Sequence, residues 1–414
     1  MIVLVINAGS SSVKLTCFDS EGFRVLAKGL VERVGQDGTT LHLWASGQAT
    51  LCRPIQVTDI RRAVELLLAR LVDPEEGVLS SLAQIGAVGH RVVHGGDSVT
   101  QPVLLNENTT NIIRRWSALA PLHNPHGLAG IEAAELSLPH AVHVVVFDTA
   151  FHAKMPPVAY LYPLPRELYE RDKIRRYGFH GTSHQYVYLQ ALEHLPGPPE
   201  SRRVVTCHLG NGCSMAAITG GRSLDTSMGF TPLEGLMMGT RCGDLDPAII
   251  VYLQERHGIT PAQVNDLLNK QSGLAALSGV ASGDLRDIVE AMDQGDHHAL
   301  QALQIFAYRI KKYLGSYAAV LGGLDAVVFT AGIGENSPLI RRLACQGLEF
   351  LGIDLDDSLN DAPGKGLREI QAPGAAVKLL VIPTDEELAI AQQTVHLIQP
   401  NLNAAGRYAW LTAQ

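Results

Sequence analysis

The chain has 414 residues, too many for one ordinary hydrophobic core, so its length predicts two or three domains. Hydrophobic residues make up 46% and charged residues 18%, which excludes a disordered or fibrous chain. The formal net charge of −8 carries no basic stripe and argues against a nucleic-acid surface, so an anionic substrate would need positive charge set locally into an acidic whole.

The six cysteines, at 17, 52, 207, 213, 242 and 345, contain no C-x-x-C pair and read as reduced thiols, not as a disulfide framework or a zinc site. The chain opens directly on a strand with no basic signal-peptide region, and no apolar run reaches the length of a membrane span. The expectation is a cytoplasmic protein with neither a membrane nor a nucleic-acid partner.

In chain order, the β-branched run at 2–6 predicts a buried strand, continued by antiparallel neighbours at 13–18 and 23–31. Thr58 to Val72 has helical spacing. A strand at 85–93 leads into His94-Gly-Gly, helices follow at 108–119 and 127–136, and a dense strand at 141–147 ends at Asp148. The Pro-rich stretch from Met155 to Pro165 is a candidate crossing between halves. Strands at 204–209 and 214–219 precede a long loop, 221–244. Helices are expected at 247–256, 261–269, 284–293 and 296–321. A strand at 324–330, a turn at 331–336, a helix at 338–350, a strand at 377–382 and a helix at 385–398 complete the reading.

One device occurs twice. Ile2 to Ala8 and Arg203 to Leu209 are apolar strands, each followed by a tight turn of small residues, Gly9-Ser-Ser-Ser12 or Gly210-Asn-Gly212, and a second strand. Glycines let backbone N–H groups approach an anion, and small hydroxyls add donors. The repeat predicts a duplicated α/β fold with a mixed sheet in each half and a phosphate grip on each. The P-loop pattern and the strand–G-x-G-x-x-G–helix unit are both absent.

Asp148, at a strand tip in Phe147-Asp-Thr-Ala-Phe-His152, reads either as a cap or as a carboxylate facing a cleft. Arg91 lies in apolar surroundings and needs an anion, either an internal carboxylate or a substrate carboxylate. His180 and His184 have the spacing of a metal pair without the Glu of H-E-x-x-H, so His180 reads better as a donor to an oxyanion. His90 and His94 read as structural. The loop carrying Arg241 is glycine-punctuated and too apolar for disorder, which makes it an active-site loop.

The segments INAGSSSVK, GHRVVHGG, APLHNPH, VFDTAFH, YGFHGTSH, HLGNGCSM, DTSMGFTPLEGLMMGTRCGDLDPA, GIGEN and PTDEELAIA occur in this order. Together they resemble the acetate kinase family of short-chain carboxylate kinases, over about residues 2–396. The resemblance implies two duplicated RNase H-like domains of the actin/hexokinase/Hsp70 type, with an interdomain cleft. Residues 1–150 with a C-terminal helix at 387–414 would form one, and 151–386 the nucleotide-binding other. It implies reversible, ATP- and Mg²⁺-dependent phosphorylation of acetate to acetyl phosphate (ADP the other product, Mn²⁺ an alternative metal) by a homodimer.

The implied roles fall on matching positions. Asn7 and Glu386 would hold the metal largely through water; Ser10, Ser12 and Lys14 would line the phosphate path. Arg91 would hold the acetate carboxylate, Asp148 orient the reacting group, and His180 and Arg241 stabilise the phosphoryl group in transit. His208, Leu209, Gly210, Asn211 and Gly212, with Asp284, Leu285, Arg286, Gly332, Ile333, Gly334, Glu335 and Asn336, would form the nucleotide site. Val93, Leu122, Phe179 and Pro232 would line the acyl pocket, where the β-branched Val93 favours acetate and leaves propionate a poorer substrate. Cys213 and Cys242 stand where relatives carry Gly and Ser and are expected to add oxidation sensitivity.

Three readings compete with this one. A propionate- or butyrate-preferring kinase is the runner-up within the same class, to be settled by comparing kcat/KM for the three acids. An ATP-binding switch on the same fold does not explain Arg91, Asp148, His180 and Arg241 together. A zinc hydrolase rests only on the paired histidines.

Overall fold

A computed structural model describes residues 1–46, 50–121 and 123–399. The chain divides into two compact units, Met1–Ala153 with the segment from Asp385, and Lys154–Thr384.

The first unit is built on an eight-stranded sheet. Its strands are β1 (Ile2–Ala8), β2 (Ser12–Asp19), β3 (Arg24–Glu32), β4 (Thr40–Ala45), β5 (Leu51–Pro54), β6 (Ile85–Val92), β7 (Val103–Leu104) and β8 (Val142–Phe147), in the order β5-β4-β3-β2-β1-β6-β8-β7. β1 pairs antiparallel with β2 and parallel with β6, which is parallel to β8. Helices α1 (Ile60–Leu71), α2 (Glu107–Trp116) and α3 (Asn124–Ser137) belong to this unit. Leu4 and Ile6 join a core with Val64, Leu67 and Leu68 of α1 and Ala133 and Ala134 of α3. Val3 and Val5 point the other way, into a core with Val144, Val146, Ile390, Ala391 and Val395. β1 therefore buries both faces, which is why it reads as a continuous apolar run.

The second unit carries a six-stranded sheet: β9 (Arg203–Leu209), β10 (Cys213–Thr219), β11 (Arg222–Thr226), β12 (Ala326–Thr330), β13 (Arg368–Glu369) and β14 (Lys378–Val381), ordered β11-β10-β9-β12-β14-β13. Its helices are α4 (Pro157–Tyr160), α5 (Arg166–Asp172), α6 (Gly181–Leu192), α7 (Ala248–His257), α8 (Pro261–Lys270), α9 (Gly273–Ser278), α10 (Leu285–Asp293), α11 (His297–Leu321), α12 (Ala331–Asn336), α13 (Pro338–Cys345) and α14 (Asp357–Asp361). The chain then returns to the first unit as α15 (Glu386–Ile398).

The duplication is explicit in the strand orders. β3-β2-β1-β6-β8-β7 and β11-β10-β9-β12-β14-β13 run in the same sense: two antiparallel pairings, two parallel ones, then an antiparallel edge strand. β4 and β5 extend only the first sheet.

Several sequence expectations are corrected. β4, β5 and β7 have no counterpart in the sequence reading, and the Pro-rich crossing contains α4 and is followed by α5. The 221–244 loop begins with β11, and α6 follows Phe179-His180 directly. Residues 331–336 form α12 instead of a turn, and the following helix ends at Cys345, not at 350, because the backbone leaves the helix at Gln346 (ψ 126°) and turns left-handed at Gly347 (φ 73°). The expected C-terminal helix is described to Ile398; its expected continuation beyond residue 399 lies outside the described residues, as does Leu122.

Candidate active site

In the first unit, the predicted residues gather at the carboxyl ends of three neighbouring parallel strands, where open α/β sheets bind ligands. Ile6 pairs with His90, and Arg91 pairs with Val146, so Asn7, Arg91 and Asp148 stand abreast at the ends of β1, β6 and β8. The strand ends are fastened by Asp148 N–H to Val92 O at 2.9 Å and Gly95 N–H to Thr149 Oγ1 at 3.1 Å. Asn7 is paired across the β1–β2 hairpin with Lys14. The Gly9 N–H closes the turn on Ser12 O at 2.8 Å.

Arg91 donates from Nε to Asp148 Oδ1 at 3.0 Å and from Nη2 to Asp148 Oδ2 at 2.8 Å. Glu386, in the first turn of α15, lies 3.6 Å from Arg91 Nε. Of the two readings of Arg91, the internal ion pair is therefore the one seen. Its Nε/Nη2 fork is occupied by Asp148, so the fork cannot also grip a substrate carboxylate, and the guanidinium offers Nη1 instead. Burial pushes the Asp148 carboxyl up from the usual carboxylate range, and Arg91 pulls it part of the way back.

The donor set suits a hard cation. Glu386 offers a carboxylate and Asn7 an amide oxygen, the ligand type that Mg²⁺ takes. Among the described residues no three His, Cys, Asp or Glu side chains converge on one point. A Mg²⁺ ion here would keep water and take substrate oxygens, which is how Mg²⁺ is usually held.

In the second unit, His180, His208, Gly212 and Arg241 come together. His180 has φ 55°, in the left-handed region, at the head of α6. A non-glycine residue there is uncommon. Its ring stacks on His208, with centroids 4.2 Å apart. A Cβ built on Gly212 would lie 3.6 Å from His180 Nε2 and 3.7 Å from Arg241 Nη1. An imidazole nitrogen and a guanidinium thus face one small space over a glycine, an arrangement fitted to an anion. Arg241 is steadied by an Nη1 bond to Pro232 O at 3.0 Å, and burial lowers its pKa. The Gly210 N–H to Gly212 O bond of 3.2 Å closes the turn.

The other predicted nucleotide residues surround this turn. Thr330 pairs with His208 in the sheet, and a Cβ on Gly334 would lie 3.7 Å from Leu209 Cβ, so the Gly332–Asn336 segment lies beside the 208–212 turn. Gly239 N–H bonds Asn211 O at 3.1 Å, and a Cβ on Gly283 would sit 3.0 Å from Gly239 O, which brings up Asp284, Leu285 and Arg286. Arg286 and Asp284 pair with each other, Nη2 to Oδ2 at 2.7 Å. Phe179 is buried beside His180, and Val93 is half-buried just after β6.

Two supports escaped sequence reasoning. Arg176 donates Nη1 to Thr226 O and Ser227 O at 2.9 and 3.1 Å and Nη2 to Glu234 Oε1 at 2.5 Å, and Tyr162 also bonds Glu234, so the Arg241 loop is clamped from inside. The fully buried Arg341 donates to Gly334 O and Glu335 O at 2.9 and 3.0 Å and to Asn360 Oδ1 at 2.8 Å, which fastens α12 from beneath. The expected oxidation sensitivity is not supported by the site. Cys213 is fully buried and its thiol is pushed up to about 12; the half-buried Cys242 is also raised, mainly by burial, so both favour the protonated thiol over the reactive thiolate at neutral pH.

Comparison with known proteins places nearly the whole chain among relatives. The model of the "Acetokinase family" matches residues 2–392. An acetate kinase of Dictyoglomus turgidum is 52% identical over 398 residues, 96% of this chain and 98% of that protein. The crystal structure of Porphyromonas gingivalis acetate kinase is 43% identical and superposes with a TM-score of 0.91, covering 96% of this chain and 100% of that one. A propionate kinase from Francisella tularensis subsp. tularensis SCHU S4 is 38% identical with a TM-score of 0.88, covering 95% and 98%.

Proposed function

Because the chain belongs to the acetokinase family, we propose that it transfers the γ-phosphoryl group of ATP to acetate, reversibly and with Mg²⁺, giving acetyl phosphate and ADP. The observation that carries the reaction is the convergence of His180 Nε2 and Arg241 Nη1 over Gly212. In-line phosphoryl transfer asks the protein for positioning and for positive charge on the equatorial oxygens. His180 and Arg241 supply those donors.

Acetate already carries its nucleophile. A carboxylate oxygen forms the new O–P bond while the bond from γ-phosphorus to the bridging oxygen breaks, and the electron pair leaves with ADP. No proton has to move, so no general base is needed. Arg91 Nη1 attracts the acetate carboxylate. Asp148 holds Arg91 in place through both bonds and sets which guanidinium edge faces substrate. Ser10, Ser12 and Lys14 line the phosphate path on the first hairpin. The segments 208–212, 284–286 and 332–336 bind the nucleotide. Asn7 and Glu386 would hold Mg²⁺ through water, and the metal, when bound, would supply neutralising charge for the phosphates.

Val93 narrows the acyl pocket and favours acetate over propionate. The homodimer is supported by α7, on which Ile249, Val251 and Tyr252 are 45%, 53% and 59% exposed and no residue is buried. Among the described residues no helix is long and apolar enough to cross a membrane.

The test is a panel of acetate, propionate and butyrate with ATP and Mg²⁺, trapping acyl phosphate as hydroxamate. Acetate should give the highest kcat/KM. ATP hydrolysis without any acid-dependent hydroxamate would instead favour a nucleotide-driven switch.

A further inference from the structure

The inner face of the second sheet carries a hydrogen-bonded chain that ends at His180. Thr206 and His208 are two apart on β9, and Ser214 on β10 is in register with His208, so all three share the face that meets α6. His184 Nδ1 lies 2.7 Å from Thr206 Oγ1, and His184 Nε2 lies 2.7 Å from Ser214 Oγ. Ser214 Oγ is 2.8 Å from His180 Nδ1. Thr206, His184 and Ser214 are all fully buried.

With both histidines neutral, each link holds one proton and the chain can run in only two directions. If Thr206 accepts from His184, its own O–H is left inside without an acceptor, since among the described residues that hydroxyl meets only His184. An orphaned buried donor costs the full desolvation of the group, more than an unused lone pair does. Thr206 therefore donates to His184 Nδ1. His184 Nε2–H then donates to Ser214, and the Ser214 O–H donates to His180 Nδ1. The remaining proton of His180 lies on Nε2, the atom that faces the space over Gly212.

We propose that Ser214 and His184 are positioning residues: they fix His180 as the Nε2–H tautomer, a donor that needs no positive charge, aimed at the anion. The proposal rests on the reading that His180 serves the transferring phosphoryl group. The Ser214 bridge orients the ring through Nδ1, and its partner His184 stops the serine hydroxyl from turning its proton away. The tautomer is then settled in the folded protein before substrate arrives.

The experiment is ¹⁵N–¹H correlation NMR of imidazole-labelled wild-type protein near neutral pH, with His180 assigned by loss of its signals in His180→Asn. The expected result is a single tautomer, protonated at Nε2 and accepting at Nδ1. A His180 protonated at Nδ1, or an even mixture, overturns the proposal. Ser214→Ala should release the ring into a mixture and lower kcat roughly tenfold to a hundredfold, the range seen when an outer partner that orients a metal-bound imidazole is removed. KM for ATP and acetate should stay within about twofold, because positioning of a transition-state donor appears in kcat. His184→Gln, which keeps a polar group at the reach of Nε2, should retain more activity than His184→Leu. If Ser214→Ala fails to fold, Ser214→Cys and the wild-type spectrum carry the test. His180→Ala in the same series tests the underlying reading separately: undiminished kcat there would remove the phosphoryl role from His180, whatever the tautomer.

Discussion

Gly212→Ala separates the fold from the chemistry. Gly212 has no left-handed φ, so alanine can adopt its backbone without strain. The added methyl would meet His180 Cε1 and Nε2 at 3.6 Å and Arg241 Nη1 at 3.7 Å, ordinary van der Waals contacts. Stability should hold or rise by about 0.5 kcal/mol, since alanine reduces the freedom of the unfolded chain. The same methyl occupies the space where a phosphoryl oxygen would bond both donors at about 2.9 Å. An oxygen displaced from that point loses at least one of them. Removing one such donor costs about 3 kcal/mol of transition-state stabilisation, or roughly a hundredfold in kcat. The assay is hydroxamate-trapped turnover with acetate and ATP, run beside urea unfolding. A variant with an unchanged unfolding midpoint and kcat within about threefold of wild type would mean that the phosphoryl group does not pass over Gly212, and the reasoning would fail.

Val93→Ala should raise the kcat/KM ratio of propionate to acetate by roughly tenfold, one methylene being worth about 1–3 kcal/mol; an unchanged ratio defeats the steric argument. Acid should weaken the fold through His94, which is buried against Trp116 and whose pKa burial lowers from about 6.5 to about 3. The unfolded chain binds the proton first, so this stability is complete above pH ~6.5 and is lost as pH falls toward ~3, about 2 kcal/mol by pH 5. His90, likewise lowered by burial and then by His143, acts in the same direction. Urea midpoints at pH 7 and 5 should fall less for His94→Gln than for wild type, and equal falls would count against it. Val251→Glu on α7 should shift the protein from dimer to monomer in light scattering, and a wild type already monomeric would remove the dimer.

The strands at the centre of each sheet were legible because burial on both faces leaves a continuous apolar run, as in Val204–Leu209. β4 and β5 were not, because they lie toward the open edge and mix exposed and half-buried residues such as Trp44, Cys52 and Pro54. α6 was missed for a different reason. It starts from a left-handed His180 and buries Gly181, Thr182, Ser183 and His184 in succession, so it shows neither a capping side chain nor a polar stripe. The site residues with unusual chemistry for their surroundings, Arg91 and Asp148, stood out in the sequence. Their mutual pairing did not, because nothing in the spacing of residues 57 apart fixes which strand ends meet. Ser214 and Thr206 could be found only once the β9–β10 register and the position of α6 were known, since small hydroxyls in a strand look like any others.

The two hairpin turns show why duplication did not make the halves equivalent. In the first, Asn7 and Lys14 face each other across the strands and bring side chains to the turn. In the second, the same register positions are taken by His208 and Ser214, and the turn between them is Gly210-Asn-Gly212. Asn7 corresponds to His208, each one residue short of its strand's end, and Lys14 corresponds to Ser214. One copy thus carries an amide and an ammonium, suited to a cation's water shell and to phosphate charge. The other carries an imidazole and a hydroxyl, and the hydroxyl orients a second imidazole, His180. The shared backbone supplies a tight turn at a strand end in both halves. What each turn can hold depends on which side chains those two register positions carry.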